Sequence, residues 1–464
     1  MKQLNGAKFN IENLGYIKRG EFEVKPLTLF CGKNNTGKTW AMYALYGCLD
    51  RLPSGMPIPG LDEIVSSLIK EGSAVFDLQL LVQTHYKDLA RLIKRGCQLR
   101  LSTIFNAEQV SFDNTVIDWM ISKEQMLHVI MTEELDFRLE LGKQVDALRL
   151  LKPRGETTVS ITLLAEKLPD LKRYLSDVIV RFLLQQKDGR NVFLVPAERN
   201  GLHLFFRELS SRRSALLHHV SREELDVTKL ISDIMKSRYA EPIADYIDWL
   251  NGLRTRRKTK GAECHDSADA LRKTLIGGKY EVDSEGVISF TPRKIRGQPS
   301  AEKMSLHLTS SAIKSLFGIW FFLEHQAKPG DILMIDEPEL NLHPAAQREI
   351  ARLLAAVANK GITVIVSTHS DYFVREINTL IMLSKAHPRR DELMQKYGYV
   401  PEQLLELDDV GAYYFDETGI NPMQVNEEEG IFVETFDQVI RDLNDTSDDI
   451  YYQYRDDQDL SDLV

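Results

Sequence analysis

The stretch GKNNTGKT, Gly32 to Thr39, places two glycines, a lysine and a threonine between an apolar run, LTLF, and an amphipathic one, TWAMYALYGCL. A G-x-x-x-x-G-K-[ST] pattern set between a strand and a helix is a phosphate cradle. Gly32 and Gly37 let the backbone curl, so that the N–H groups of Lys33, Asn34, Asn35 and Thr36 turn toward phosphate oxygens. The following helix adds the positive end of its dipole. Lys38 is then expected to reach the β- and γ-phosphates of a bound nucleotide, and Thr39 to offer its hydroxyl to Mg²⁺, a hard cation that prefers oxygen ligands. A glycine-rich turn with a surface lysine is the plain alternative, and the flanking strand and helix count against it.

Such a cradle needs a carboxylate for the metal and a group that activates water. In GDILMIDEPELNLHP the apolar run Ile332 to Ile335 has the length of a buried strand and ends in Asp336 and Glu337. Ionised groups at the end of a buried strand are expensive to keep without a partner, and the crevice outside such ends is where open α/β sheets bind ligands. Asp336 is the expected Mg²⁺ ligand and Glu337 the expected general base. A third strand, Ile362 to Ser367 in GITVIVSTHS, delivers His369 to the same edge as a γ-phosphate sensor. Between these two strands, PAAQREIARLLAAVANKG reads as a crossover helix closed by Gly361.

Taken in order, GKNNTGKT, LTSSAIKSLFGI, DEPELNLHP and STHSDYFVREI resemble the ABC-type ATPase heads of the SMC, RecF and OLD group, and more narrowly the stand-alone ATPases of bacterial anti-phage systems. VFLVPAERNGL adds the Pro-Ala-x-Arg strand end of that group, and the resemblance implies that Arg199 contributes to ATP binding. It also implies a signature that reaches the nucleotide of the opposite subunit. Here that stretch reads Ser310, Ser311, Ala312, Ile313, Lys314 and lacks the glycine of its relatives. Two hydroxyls and Lys314 at the head of a helix still form an anion site, and an ordinary helix N-cap is the competing reading. OLD nucleases continue into a Toprim domain, whereas the final GIFVETFDQVIRDLNDTSDDIYYQYRDDQDLSDLV has neither the length nor the strand pattern for one.

The resemblance is strongest to the ATPase subunits of PARIS-type defence systems. It implies a regulatory ATPase that assembles through head-to-head pairs or a higher ring and sequesters a separately encoded, Toprim-like effector nuclease. In that family release follows the sensing of a phage trigger protein. Septu-type ATPases, partnered with an HNH nuclease, and RecF- or SMC-like DNA-binding repair ATPases are the alternatives.

These residues must be carried by an α/β fold: an ABC-type head with a mixed sheet, an antiparallel lobe and a helical insertion. The expected division is an N-terminal head part (1–50), an antiparallel and helical lobe (51–190), a return strand (191–200), a helical insertion (201–275), a C-terminal head part (276–425), and a C-terminal helix with an acidic tail (426–464). The main sheet is expected from three blocks: residues up to about 50, the return near 192–200, and the chain from about 276. The lobe mixes helical patterns, FDLQLLVQTHYKDLARLIKRG and LPDLKRYLSDVIVRFLLQQ, with alternating ones, LDFRLELG and TVSITLL.

Composition narrows the partners. The chain has 464 residues, 43% of them apolar and 27% charged, which is the profile of a well-cored globular protein. No apolar run approaches a membrane span and the first residues lack a signal-peptide core, so a cytoplasmic protein without membrane contact is expected. The four cysteines have neither metal-ligand nor disulfide spacing. With 58 basic against 68 acidic side chains the net charge is −10, which opposes nonspecific nucleic-acid binding and leaves any such contact to local clusters. Arg254, Arg256, Arg257, Lys258 and Lys260 form one, and PRKIRG from Pro292 a smaller one; solvated loops and phosphate contacts are both open to them. His265 beside Cys264 is read as structural. The tail, with Asp445, Asp448, Asp449, Asp456 and Asp457, is either solvated or a dock for the partner.

Overall fold

Leu27 to Gly32 is buried at every position, and its side chains divide between two hydrophobic clusters: Leu27, Leu29 and Cys31 in one, Phe30 in the other. A strand covered on both faces must be apolar throughout, and this one lies at the middle of the molecule. The computed structural model describes residues 6–141, 145–165, 168–186, 190–220, 239–253, 263–294, 302–426, 428, 430–431, 442–452 and 454. Among them the chain is α/β with a mixed sheet, an antiparallel lobe and a helical insertion, as the sequence predicts.

The main sheet is built from β1 (Ala7–Leu14), β2 (Ile17–Val24), β3 (Leu27–Gly32), β5 (Val116–Met120), β9 (Val192–Val195), β13 (Ile332–Asp336), β14 (Thr363–Thr368), β15 (Val410–Phe415) and β16 (Ile420–Pro422). Their order is β5-β1-β2-β16-β15-β3-β14-β13-β9. From β15 to β9 all neighbours are parallel, while β1 is antiparallel to both β2 and β5. Ile332 and Met334 face the cluster on one side of the sheet, Leu333 and Ile335 that on the other.

One face is covered by α1 (Lys38–Asp50) and the lobe. The lobe carries α2 (Leu61–Glu71), α3 (Leu78–Ile104), α4 (Lys123–Thr132), α5 (Leu171–Leu183), and the antiparallel strands β4 (Ser73–Asp77), β6 (Leu135–Leu141), β7 (Val145–Lys152) and β8 (Thr158–Leu163) in the order β4-β8-β7-β6. Nearly all of α1 is buried because it is wedged between sheet and lobe. At Gly47 a Cβ would lie 2.0 Å from Ile104 Cδ1, so the close crossing of α1 and α3 requires glycine. The other face is covered by α6 (Arg199–Val220), α7 (Glu241–Asn251), α8 (His265–Leu271), α9 (Ser311–His325), α10 (Pro344–Asn359) and α11 (Asp371–Ser384).

Two expectations about the sheet change. A fourth block enters it: β5 comes from within the 51–190 lobe and pairs with β1, because Ile117 and Trp119 alternate inward and Trp119 packs on Phe9 at 5.2 Å between ring centroids. Conversely β10 (Gly278–Val282), β11 (Ile288–Pro292) and β12 (Met304–Ser305), early in the C-terminal head part, form a three-stranded sheet of their own. That sheet packs on α9, where Tyr280 donates its hydroxyl to the Ile313 carbonyl. Strand ends also move by a residue: Asp336 lies within β13, and the third strand runs Thr363 to Thr368.

No helix among the described residues is long and apolar enough to cross a membrane. His265 Nδ1 lies 2.9 Å from Glu324. Residues Arg254, Arg256, Arg257, Lys258 and Lys260, and the second half of PRKIRG, after Lys294, lie outside the described residues, as do Asp456 and Asp457. Asp445, Asp448 and Asp449 are exposed on the helical stretch 442–452.

Candidate active site

Three parallel strands end side by side. Register pairs Cys31 of β3 with Thr368 of β14, and Ser367 of β14 with Asp336 of β13, so the residues that follow each strand share one crevice. Neighbouring strands are roughly 4.8 Å apart, and three segments distant in sequence thus meet within a side chain's reach.

The loop after β3 has the geometry of a phosphate cradle. Gly32 (φ 140), Asn35 (φ 64) and Gly37 (φ 98) take positive φ values. A Cβ at Gly32 would lie 2.3 Å from the Phe415 carbonyl oxygen, and one at Gly37 2.5 Å from Ile17 Cγ1, so packing behind the loop also demands glycine. Lys33, Asn34 and Asn35 are exposed, and Thr36 donates its hydroxyl to the Lys33 carbonyl at 2.8 Å. Helix α1 starts at Lys38 with no side-chain cap and no acid in its first turn, which leaves its leading N–H groups available to an anion. Lys38 is buried, and its ammonium donates to the carbonyls of Gly32 at 3.1 Å and Lys33 at 2.6 Å. Burial pushes its pKa down to about 8, against the opposing pull of Asp336 and Glu337.

Thr39 donates its hydroxyl to Asp336 Oδ2 at 3.0 Å, and Ser367 donates to Asp336 Oδ1. Burial raises the Asp336 pKa, while these two donors and the charges of Arg199 and Lys38 oppose the rise. One carboxylate and one hydroxyl, both hard oxygen donors, fit Mg²⁺, which keeps most of its shell for water and phosphate oxygens. The surroundings also call for polar partners. Six buried side-chain polar atoms among the described residues have none, and Tyr43 Oη, Arg199 Nε, Asn200 Oδ1 and Glu339 Oε2 are four of them. Arg199 and Glu339 bond directly to the segments around Asp336, and Tyr43 feels its charge.

Glu337 stands at φ 51, a left-handed backbone that a non-glycine residue holds only when its surroundings over-determine it. Its N–H donates to the Ser367 carbonyl at 3.1 Å and the Ser367 hydroxyl at 3.2 Å. Burial, and then the Asp336 charge, raise the Glu337 pKa, which makes the carboxylate a stronger base. His369 Nε2 lies 3.6 Å from Glu337 Oε1. Burial, with Lys38 adding to it, pushes the His369 pKa down to about 4, so the ring is neutral at pH 7 and this contact is not an ion pair.

Arg199 lies against the backbone at the ends of β9 and β13. It is fully buried, and its guanidinium donates to the carbonyls of Pro196 at 3.1 Å, Asp336 at 2.8 Å and Glu337 at 2.7 Å. Three of its hydrogen bonds go to backbone while Nε has no partner, so it supports the segment that carries the carboxylates. At the next residue Asn200 donates to the Ser311 carbonyl at 3.3 Å, and His203 Nδ1 meets the Lys314 carbonyl at 2.8 Å. Ser310 caps α9, accepting from the Ile313 N–H at 3.3 Å, so the capping role is realised; Ser311 is exposed beside it.

Two residues escaped the sequence reading. Ser367 holds both Asp336 and Glu337. Glu339 accepts from the His369 N–H at 2.7 Å and the Thr368 hydroxyl at 2.9 Å, tying the turn after β13 to the end of β14. The only signal for Glu339 was a third acid two residues beyond Glu337.

A model of the AAA ATPase domain family, AAA_15, matches residues 208–374, which is less than half of the chain and includes Ser310, Asp336, Glu337 and His369 but neither the phosphate loop nor Arg199. No curated protein matches. Among solved structures, the SMC head domain from Thermotoga maritima overlaps 91% of this chain and 99% of its own at 10% identity and a TM-score of 0.32. The Smc head from Pyrococcus furiosus with an extended coiled coil, bound to the C-terminal domain of ScpA, overlaps 96% and 99% at 11% identity and a TM-score of 0.33. At such scores these overlaps add nothing to what the strand order and the crevice establish.

Proposed function

We propose that the chain binds ATP with Mg²⁺ in this crevice, hydrolyses it, and serves as the regulatory or sensor subunit of a bacterial anti-phage system of the PARIS type. The supporting observation is the convergence, at three adjacent strand ends, of Lys38, of Thr39 on Asp336 at 3.0 Å, and of Glu337 beside His369 at 3.6 Å. The AAA ATPase domain match agrees with it.

Each residue has a distinct task. Lys38 exchanges its two carbonyl partners for β- and γ-phosphate oxygens, and the loop N–H groups hold the rest of the triphosphate. Thr39 and Asp336 would hold Mg²⁺, which would supply charge neutralisation to the triphosphate. Glu337 takes the proton of the attacking water. The neutral His369 contributes a hydrogen bond rather than a charge at the γ-phosphate. The exposed Ser311, with Lys314, completes the site of a second copy in a head-to-head pair. ATP occupancy then controls a separately encoded, Toprim-like nuclease that a phage trigger protein releases.

Two experiments test the two levels. Nucleotide affinity and phosphate release are measured for the purified chain and for Lys38→Ala; binding and turnover present in the first and absent in the second are expected, and their absence from the wild type refutes the ATPase reading. The chain is then expressed alone, with its neighbouring gene, and with that gene plus Lys38→Ala, and phage plating and nucleic-acid integrity are assayed. Protection only from the pair with intact Lys38 is expected. Protection or nucleic-acid cutting by the lone chain refutes the regulatory role, and salt-sensitive DNA binding by the lone chain favours a DNA-maintenance ATPase.

A further inference from the structure

Arg199 is fully buried, and all its hydrogen bonds go to neutral backbone carbonyls. None of its hydrogen bonds reaches a carboxylate, and Nε has no partner. A buried guanidinium so placed loses its hydration without forming an ion pair. Its fork, however, spans three carbonyls at once, which a lysine ammonium on its flexible stem cannot reproduce. Two of the three belong to Asp336 and Glu337, the carbonyls on either side of the Glu337 Cα.

Those two bonds bear on the strained residue of the site. The peptide N–H of Glu337 is fixed from one side by Ser367, and the flanking carbonyls are fixed from the other by Arg199. Together they pin the peptide planes that set φ at 51. That backbone angle decides which way the side chain leaves the strand end, toward His369 and the solvent side of the crevice rather than onward along β13.

We propose that Arg199 is a positioning residue for Glu337: it spends its hydrogen bonds on holding the left-handed turn that aims the base, and not on binding nucleotide. The inference rests on the assignment of Glu337 as the base of ATP hydrolysis. Arg199→Lys keeps the buried charge but removes the planar fork. Turnover should fall about 10–100-fold, a fraction of the effect of losing a general base, while nucleotide affinity moves by less than about threefold. A purely structural arginine would not produce that separation.

The deciding measurement is the same substitution in two backgrounds. If Arg199 acts through Glu337, Arg199→Lys should change the residual turnover of Glu337→Gln by less than about twofold, because residues acting as one unit are not additive. Equal fold losses in both backgrounds, a parallel loss of affinity, or unchanged turnover in Arg199→Lys would each overturn the positioning role. Should Arg199→Lys not fold, Arg199→Gln, which retains two donors without charge, carries the same comparison. The two readings fail separately. Turnover lost in Glu337→Gln but untouched in Arg199→Lys removes the positioning role alone, whereas wild-type turnover that survives Glu337→Gln removes the assignment of the base.

Discussion

Raising the pH should weaken nucleotide binding, and the structure sets the size of the effect. Lys38 is buried, and its pKa is pushed down to about 8 while it rests on the Gly32 and Lys33 carbonyls. A bound triphosphate places several negative charges against the ammonium and restores a high pKa, so only the protonated loop binds well. The sign follows directly: above the free-loop pKa, binding must take up a proton, and affinity falls as pH rises. Between about pH 7.5 and about pH 9 the protonated fraction of free loops drops roughly eightfold, which corresponds to about 1.2 kcal/mol of apparent affinity. Starting at about pH 7.5 keeps phosphate ionisation, near pH 6, out of the window. His369, with its pKa pushed down to about 4, does not titrate there either. Calorimetry in buffers of different ionisation enthalpy gives both affinity and proton uptake, which should approach about one proton per nucleotide at the upper end. Lys38→Arg, permanently charged, should lose this pH dependence whatever its affinity. Wild-type affinity that stays flat across the window, or an equal fall in Lys38→Arg, refutes the reasoning.

Three other outcomes are expected. Glu337→Gln should keep nucleotide affinity while turnover drops by about 10²–10⁴-fold, and phosphate release at the wild-type rate would remove Glu337 as the base. Gly37→Ala, which forces a Cβ to 2.5 Å from Ile17 Cγ1 at a φ of 98, should lower Tm by an amount equivalent to about 1–3 kcal/mol and weaken ATP binding; thermal melts and nucleotide titration check it. Mixing Lys38→Ala with Ser311→Arg should restore part of the activity that each lacks, since a head-to-head heteropair retains one intact composite site. Verified mixed assembly without recovery would leave Ser310 and Ser311 as nothing more than a helix cap.

The parts of the site that depend on local chemistry were legible in the sequence. Gly32, Gly37, Lys38 and Thr39 announce themselves because a left-handed turn, a charge and a hydroxyl are needed within eight consecutive positions. Asp336 and Glu337 do so because two acids at the end of an apolar run are otherwise unfavourable. Arg199 was legible as a residue but not as a role: what its guanidinium touches is decided by carbonyls 137 and 138 positions away. Ser367 and Glu339 carried almost no signal, since a serine in a strand and an acid in a turn are ordinary until their partners are known. Strand β5 was missed because five residues with a central aspartate make a weak alternating pattern.

The sequence by itself determined the local conformations: the curl after β3, the buried strands, the helix that follows Lys38 and the cap at Ser310. Each is encoded within a window of a few residues by glycine freedom, apolar periodicity or a side chain that bonds its own backbone. Only the tertiary structure decided that β3, β14 and β13 lie next to one another, in that order and register. Strand pairing is a long-range choice governed by how apolar faces are buried together, and no local pattern encodes it. That choice brings Thr39 within 3.0 Å of Asp336 across 297 positions, sets His369 against Glu337, and brings Arg199 onto the carbonyls of Asp336 and Glu337.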